Sequence, residues 1–174
     1  MKITSLFTVI IVLLHLGLRA QIKYEGSVDS KYKTFQLDDN TYKYIKYNSL
    51  NESVLIFNLD NTLWRSVKLP LPEGHVPDEI KHISQHLFNN DDYAEVIYSC
   101  VVFPDAYYYE NPEVEYAPLD FTLNIVSENC DTMLKVPGSN EMEIIKSKKG
   151  NKILVYKHMG KHFSKNEETL IYSF

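Results

Sequence analysis

Glycine and proline are scarce in this 174-residue sequence, at 6 and 7 residues. Collagen-like and low-complexity chains need about a quarter or more of such residues, so those classes are excluded. The glycines all stand alone, and no Gly-x-Ser-x-Gly occurs. A glycine-rich phosphate loop and a nucleophile elbow are therefore absent. Cysteine occurs twice, as Cys100 and Cys130, with no Cys-x-x-Cys pair. Those two alone cannot hold a structural zinc. Basic residues are outnumbered, 18 Lys and Arg against 23 Asp and Glu, for a net charge of −5. An acidic chain repels phosphate backbones, so a nucleic-acid partner is not expected. Lys31, Lys33, Lys43 and Lys46 make a mildly basic region, but Asp38 and Asp39 interrupt it and it reads as a solvated face. No segment sustains a 3.6-residue apolar period, so amphipathic helices are not expected either.

The first twenty residues stand apart from the rest. Lys2 precedes an apolar run from Leu6 to Leu18. A run of ~13 residues falls short of the ~20 that span a bilayer. Residues 1–20 read as a signal peptide cut between Ala20 and Gln21, with an uncleaved N-terminal anchor as the alternative. No later stretch is apolar enough to cross a membrane. Export to the periplasm, the cell surface or the medium follows as the expected localisation. Cleavage leaves 154 residues (174 − 20), and loss of Lys2 and Arg19 makes the charge −7. A chain of that size buries about two-thirds of its surface, enough for a core without staples.

Alternating, β-branched and aromatic runs recur between Asn, Asp, Gly and Pro clusters. They predict strands over Tyr32–Leu37, Thr41–Tyr47, Val54–Asn58, Thr62–Leu69, Glu79–His86, Tyr93–Phe103, Leu119–Ser127, Thr132–Val136, Glu141–Ser147, Lys152–His158 and Thr169–Ser173. Pro70–Asp78 and Pro104–Pro118 read as loops. Short polar connections make neighbouring strands antiparallel. The expected fold is all-β: antiparallel meanders forming two propeller-blade-like sheets or a small β-sandwich. Residues 21–40 are an N-terminal extension or a first strand, and 41–174 a single all-β domain. Ile56–Leu69 and Ile125–Pro137 echo one another about seventy residues apart, which suggests two copies of a four-stranded meander.

Candidate sites come from residue type and spacing. Tyr107, Tyr108, Tyr109 and Tyr116 lie in the long loop. Tyrosine offers a flat apolar face with a polar tip, suited to stacking on a glycan or a protein. Asn89, Asp91, Asp92 and Glu95 cluster oxygens in a turn, and calcium takes six to eight oxygens. The EF-hand spacing is missing, and turn chemistry accounts for the same residues. Otherwise no cofactor is expected. His82/His86 and His158/His162 share an i, i+4 spacing, but the first pair falls on a predicted strand and neither holds the Glu of His-Glu-x-x-His. Asp105, Glu110, Glu113, Glu115 and Asp120 in or beside the long loop could supply a carboxylate pair for hydrolysis. Cys100 and Cys130 are candidates for one disulfide, worth ~3 kcal/mol in an oxidising compartment. Two buried thiols are the alternative.

A longer pattern emerges from Ile56-Phe57-Asn58-Leu59-Asp60-Asn61-Thr62-Leu63-Trp64, Leu69-Pro70 and Pro72. It continues in Ile83-Ser84, Leu87-Phe88, Asp91-Asp92, Glu95 and Tyr98, then Ser127–Gly138, Lys149–Tyr156 and Leu170–Ser173. In this order the segments resemble exported β-meander or propeller-like proteins of Bacteroidetes-type bacteria, over roughly Thr41 to Phe174. Those proteins are largely uncharacterised and usually precede a type IX secretion sorting domain. The resemblance implies export and a β module rather than an activity. The sorting domain would begin where this sequence ends, which points to a stand-alone copy, a truncated one or another export route. The expected function is an exported non-catalytic module that binds a protein or glycan or serves a structural role. The alternative is a small secreted hydrolase using the loop carboxylates. Assembly through sheet edges is a further expectation.

Overall fold

The computed structural model describes residues 22–24, 27, 31–103, 119–157 and 168–174. Its turns show how the sequence breaks into strands. Asp39 and Asp60 occupy the same position in two hairpin turns. Each Oδ1 accepts the N–H of the threonine two residues on at 2.9 Å, and that threonine's hydroxyl at 2.6 Å. These bonds, the hydroxyl first, hold both carboxyls below the usual carboxylate value. The following residue, Asn40 or Asn61, takes a left-handed φ of 65°. A third turn repeats the device: Asn129 Oδ1 accepts the Asp131 N–H at 3.1 Å, and Cys130 takes φ 73°. Asx side chains mimic a backbone turn, and asparagine tolerates the left-handed region at little cost.

These turns separate eleven strands among the described residues: β1 (Lys33–Gln36), β2 (Tyr42–Asn48), β3 (Ser53–Phe57), β4 (Leu63–Lys68), β5 (Val76–Ser84), β6 (Glu95–Val102), β7 (Asp120–Ser127), β8 (Thr132–Pro137), β9 (Ser139–Ile145), β10 (Lys152–Lys157) and β11 (Glu168–Ser173). They form three antiparallel meanders in chain order, β1–β4, β5–β8 and β9–β11. Every expected strand is present, and the all-β antiparallel fold is observed. The four-stranded meander does occur twice, and the sequence echo falls on the third and fourth strands of each copy. A third sheet of three strands adds to the two expected. Residues 21–40 contribute β1, which pairs with β2 from Lys33↔Ile45 to Gln36↔Tyr42. The loop expected over Pro70–Asp78 ends early, because β5 already begins at Val76.

The second sheet lies between the other two. Strand β6 explains why. Its sequence, Glu-Val-Ile-Tyr-Ser-Cys-Val-Val, is nearly continuously apolar and its residues 95–101 are all buried. Such a run fits a strand covered on both faces. Val96, Tyr98 and Cys100 join Ile45, Val54, Ile56 and Val67 in a core against the first sheet. Ile97, Leu123, Ile125 and Val136 join Ile153 and Val155 in a second core against the third. Each such side chain contributes about 1.5–3 kcal/mol on burial. The Tyr98 hydroxyl reaches out of the first core and donates to the Pro70 carbonyl at 2.6 Å. Burial raises the Tyr98 phenol well above its ordinary pKa. Among the described residues no helix is long and apolar enough to cross a membrane.

Candidate functional site: a cleft where the first strands meet

β1, β5 and β9 are the first strands of their sheets, and among the described residues each has a paired neighbour on one side only. One polar cluster, built on the Asp38–Lys146 ion pair, brings the regions of all three together. Asp38, just after β1, lies 3.5 Å from His82 Nε2 on β5 and 2.5 Å from Lys146 Nζ, just after β9. Phe35 of β1 packs edge-on against the His82 ring at 6.5 Å. Burial lowers the His82 pKa, and the Asp38 charge opposes that shift without cancelling it.

Beside this junction a cleft of about 310 Å³ opens between β1–β2 and β5. The first sheet supplies Lys31, Lys33, Phe35 and Tyr47; β5 supplies Asp78, Glu79 and Ile80. One wall is therefore basic, the other acidic, and the floor apolar. The volume lies at the small end of the roughly 300–1,000 Å³ range of ligand sites. β5 carries two bulges here, at Pro77/Glu79 and Ile80/His82. Bulges re-aim side chains and are over-represented beside functional sites. Two of the polar groups are already engaged: Asp78 Oδ2 accepts the Ser99 hydroxyl at 2.6 Å, and Glu79 pairs with Lys81. Burial, then the Glu52 charge, raises the Tyr47 phenol above its ordinary value. The cleft thus combines hydrogen-bonding, charged and apolar groups.

The residues singled out in the sequence fall elsewhere. Tyr107, Tyr108, Tyr109 and Tyr116 lie outside the described residues, as do Asp105, Glu110, Glu113, Glu115, His158, His162 and residues 1–20. Asp120 begins β7. Asn89 and Asp91 use their side-chain oxygens on backbone amides, accepting from Asp91 N–H at 3.1 Å and Tyr93 N–H at 2.9 Å. Asp92 meets Gln85 and Arg65 through its backbone carbonyl. Glu95 leaves the turn altogether. It is buried at the start of β6, where Oε2 accepts the Ser84 hydroxyl and the Leu87 and Phe88 N–H groups at 3.2 and 3.3 Å. Among the described residues no three His, Cys, Asp or Glu side chains gather as metal ligands. His82 and His86 share no helix face, since His82 is on β5 and His86 follows it.

The expected disulfide is corrected. Cys100 and Cys130 are both free, one buried and one exposed. Cys100 sits opposite Thr122, while Cys130 lies beyond the far end of β7. The strand from Thr122 to Ser127 alone spans roughly 17 Å, against the ~7 Å Cα limit of a disulfide. Cys100 Sγ instead meets the Thr122 carbonyl at 3.5 Å and accepts from the Asn124 amide at 3.4 Å, and burial pushes its pKa up.

Of the cleft residues, only Lys31 and Lys33 stood out in the sequence, as part of a basic region on a solvated face; Phe35, Tyr47, Asp78, Glu79 and Ile80 were not singled out. The available signal was Pro77 followed by Asp78-Glu79, which breaks strand alternation and marks a bulged edge strand. Compared with known proteins, the chain matches no family model, no curated protein and no solved structure.

Proposed function

We propose that this chain is an exported, non-catalytic β module that binds an extended segment of another protein in the cleft between β1 and β5. The observation that carries the reading is the pairing of two one-sided strand edges with a cleft whose walls bear opposite charge. An extended peptide adds to such an edge through main-chain hydrogen bonds, while alternate side chains provide specificity. The fit is to a peptide with an acidic side chain toward Lys31 and Lys33, an apolar one over Phe35 and Ile80, and a basic one toward Glu79. Export rests on the leader at residues 1–20 and on the resemblance to exported β-meander proteins. Its site of action is then the cell surface or beyond.

A peptide array probed with the wild type and with Glu79→Lys and Lys33→Glu tests this reading. Both positions are exposed, so the fold should survive the changes. The wild type should select mixed-charge peptides, and each reversal should lose them. Unchanged selection in both variants would remove the cleft from the account.

A further inference from the structure

The cleft wall formed by β1 is lightly held. Its ladder to β2 is four residue pairs long, from Lys33↔Ile45 to Gln36↔Tyr42. Among the described residues no strand pairs with its other edge. Phe35 and Leu37 add apolar contact with the core between the first and second sheets. A short edge strand of this kind opens locally at a lower free energy than a buried central strand such as β6. Beyond that apolar contact, polar groups join the end of β1 to its neighbours: Asp38 meets His82 on β5 and Lys146 just after β9.

The chemistry of this junction depends on one proton. Asp38 Oδ2 and His82 Nε2 are buried, lie 3.5 Å apart and make no hydrogen bond. The His82 side chain is only 21% exposed. Lys146 Nζ holds the other carboxylate oxygen of Asp38 at 2.5 Å. With His82 neutral the three groups balance, one carboxylate against one ammonium. A proton on His82 leaves two cations sharing one carboxylate, and a buried imidazolium gives up the water that solvates it when exposed. Of the other charges that act on the ring, Lys146 opposes the proton, and Glu95 on β6 favours it more weakly. The ring is also coupled to the cleft. Phe35 packs edge-on against it at 6.5 Å and lines the cleft. His82 ends the β5 bulge that begins at Ile80, another lining residue.

We propose that Asp38, His82 and Lys146 form an acid-released clasp: protonation of His82 frees β1 from β5 and β9 and takes down the β1 wall of the cleft, so that a bound peptide is held near neutral pH and let go in acid. This regulation rests on the peptide reading of the cleft. Its direction follows from linkage. In the closed junction burial, the largest influence on His82, makes the ring bind its proton less readily than a free histidine does, despite Asp38. In the open junction the ring meets water and recovers its ordinary affinity for the proton. Acid therefore favours the open form. At about pH 5.5, one unit below the ordinary histidine value, the opening constant rises by up to ~10-fold.

Amide hydrogen exchange of the free chain at about pH 7.5 and about pH 5.5, corrected for the intrinsic effect of pH on exchange, reads the clasp directly. In the wild type, protection across Lys33–Gln36 should fall several-fold relative to β6, within the ~10-fold limit. In His82→Asn it should keep its value. The variant retains His75 and His86, so the difference between the two proteins belongs to His82. Affinity for a peptide selected on the array should weaken over the same interval in the wild type only. Should His82→Asn lower protection in β6 as well, His82→Gln takes its place. Protection of β1 that does not change with pH would overturn the proposal. So would an equal fall in the variant, or a fall in protection with the affinity unchanged. Failure of every peptide to bind at either pH would remove the peptide reading alone, and the exchange data would still decide for or against the clasp.

Discussion

Glu95 offers the sharpest test of the packing between the sheets. Its side chain is buried, with the residue 1% exposed. Three donors converge on Oε2: the Ser84 hydroxyl and the Leu87 and Phe88 N–H groups. Oε1 is buried with no partner, and so is the hydroxyl of Ser127, which lies directly across from Glu95 on β7. Replacement by leucine removes an acceptor and strands its donors. Each stranded buried group costs about 1–3 kcal/mol. The gain from no longer burying a carboxylate offsets part of that, so the net loss for Glu95→Leu is about 3–5 kcal/mol. At about 2–4 °C per kcal/mol, the melting midpoint should fall by roughly 6–20 °C. Glu95→Gln should behave quite differently. Its carbonyl keeps the acceptor position, and its amide can donate to the idle Ser127 hydroxyl, so the midpoint should move by only a few degrees. Calorimetry on both variants decides the matter. A leucine variant as stable as the wild type, or a glutamine variant as damaged as the leucine one, would refute the assigned role.

Other expectations are simpler. Tyr98→Phe leaves the Pro70 carbonyl without its 2.6 Å donor and should cost about 1–2 kcal/mol in urea unfolding, with an unchanged m-value. Cys130→Asn puts into the third turn the residue that the left-handed position holds in the other two, and should stabilise by about 1 kcal/mol. His82 is held below its unfolded pKa by burial, against Asp38 and in the presence of Lys146 and Glu95. The unfolded chain thus takes up the proton first. The contribution of neutral His82 is complete above about pH 6.5 and is lost as pH falls from there through the lower folded value. Melting curves of His82→Asn should show a shallower drop over that window than the wild type, and parallel curves would dismiss the histidine.

Strands and turns were legible because each is encoded locally. Asp39-Asn40-Thr41 and Asp60-Asn61-Thr62 carry their own hydrogen bonds, and the strand runs between such turns keep their alternation. The third sheet was harder to count, since only its three-strand remainder distinguishes it from a continuation of the second. The cleft was not legible, because Lys33, Tyr47 and Glu79 meet only once two sheets stack. Glu95 misled for a related reason. Its neighbours Asp91 and Asp92 read as turn, yet it begins β6 on the same face as Ile97 and follows that strand into the core. Cys100 and Cys130 were close in sequence terms, but strand register sets them at opposite ends of β7.

The most direct test of the proposed function is amide hydrogen exchange on the complex with a peptide selected from the array. Binding at the cleft predicts new protection at β1 and β5, within Lys33–Gln36 and Val76–Ser84, with β6 and β7 unchanged. Protection confined to other segments, with β1 and β5 exchanging as in the free chain, would contradict it.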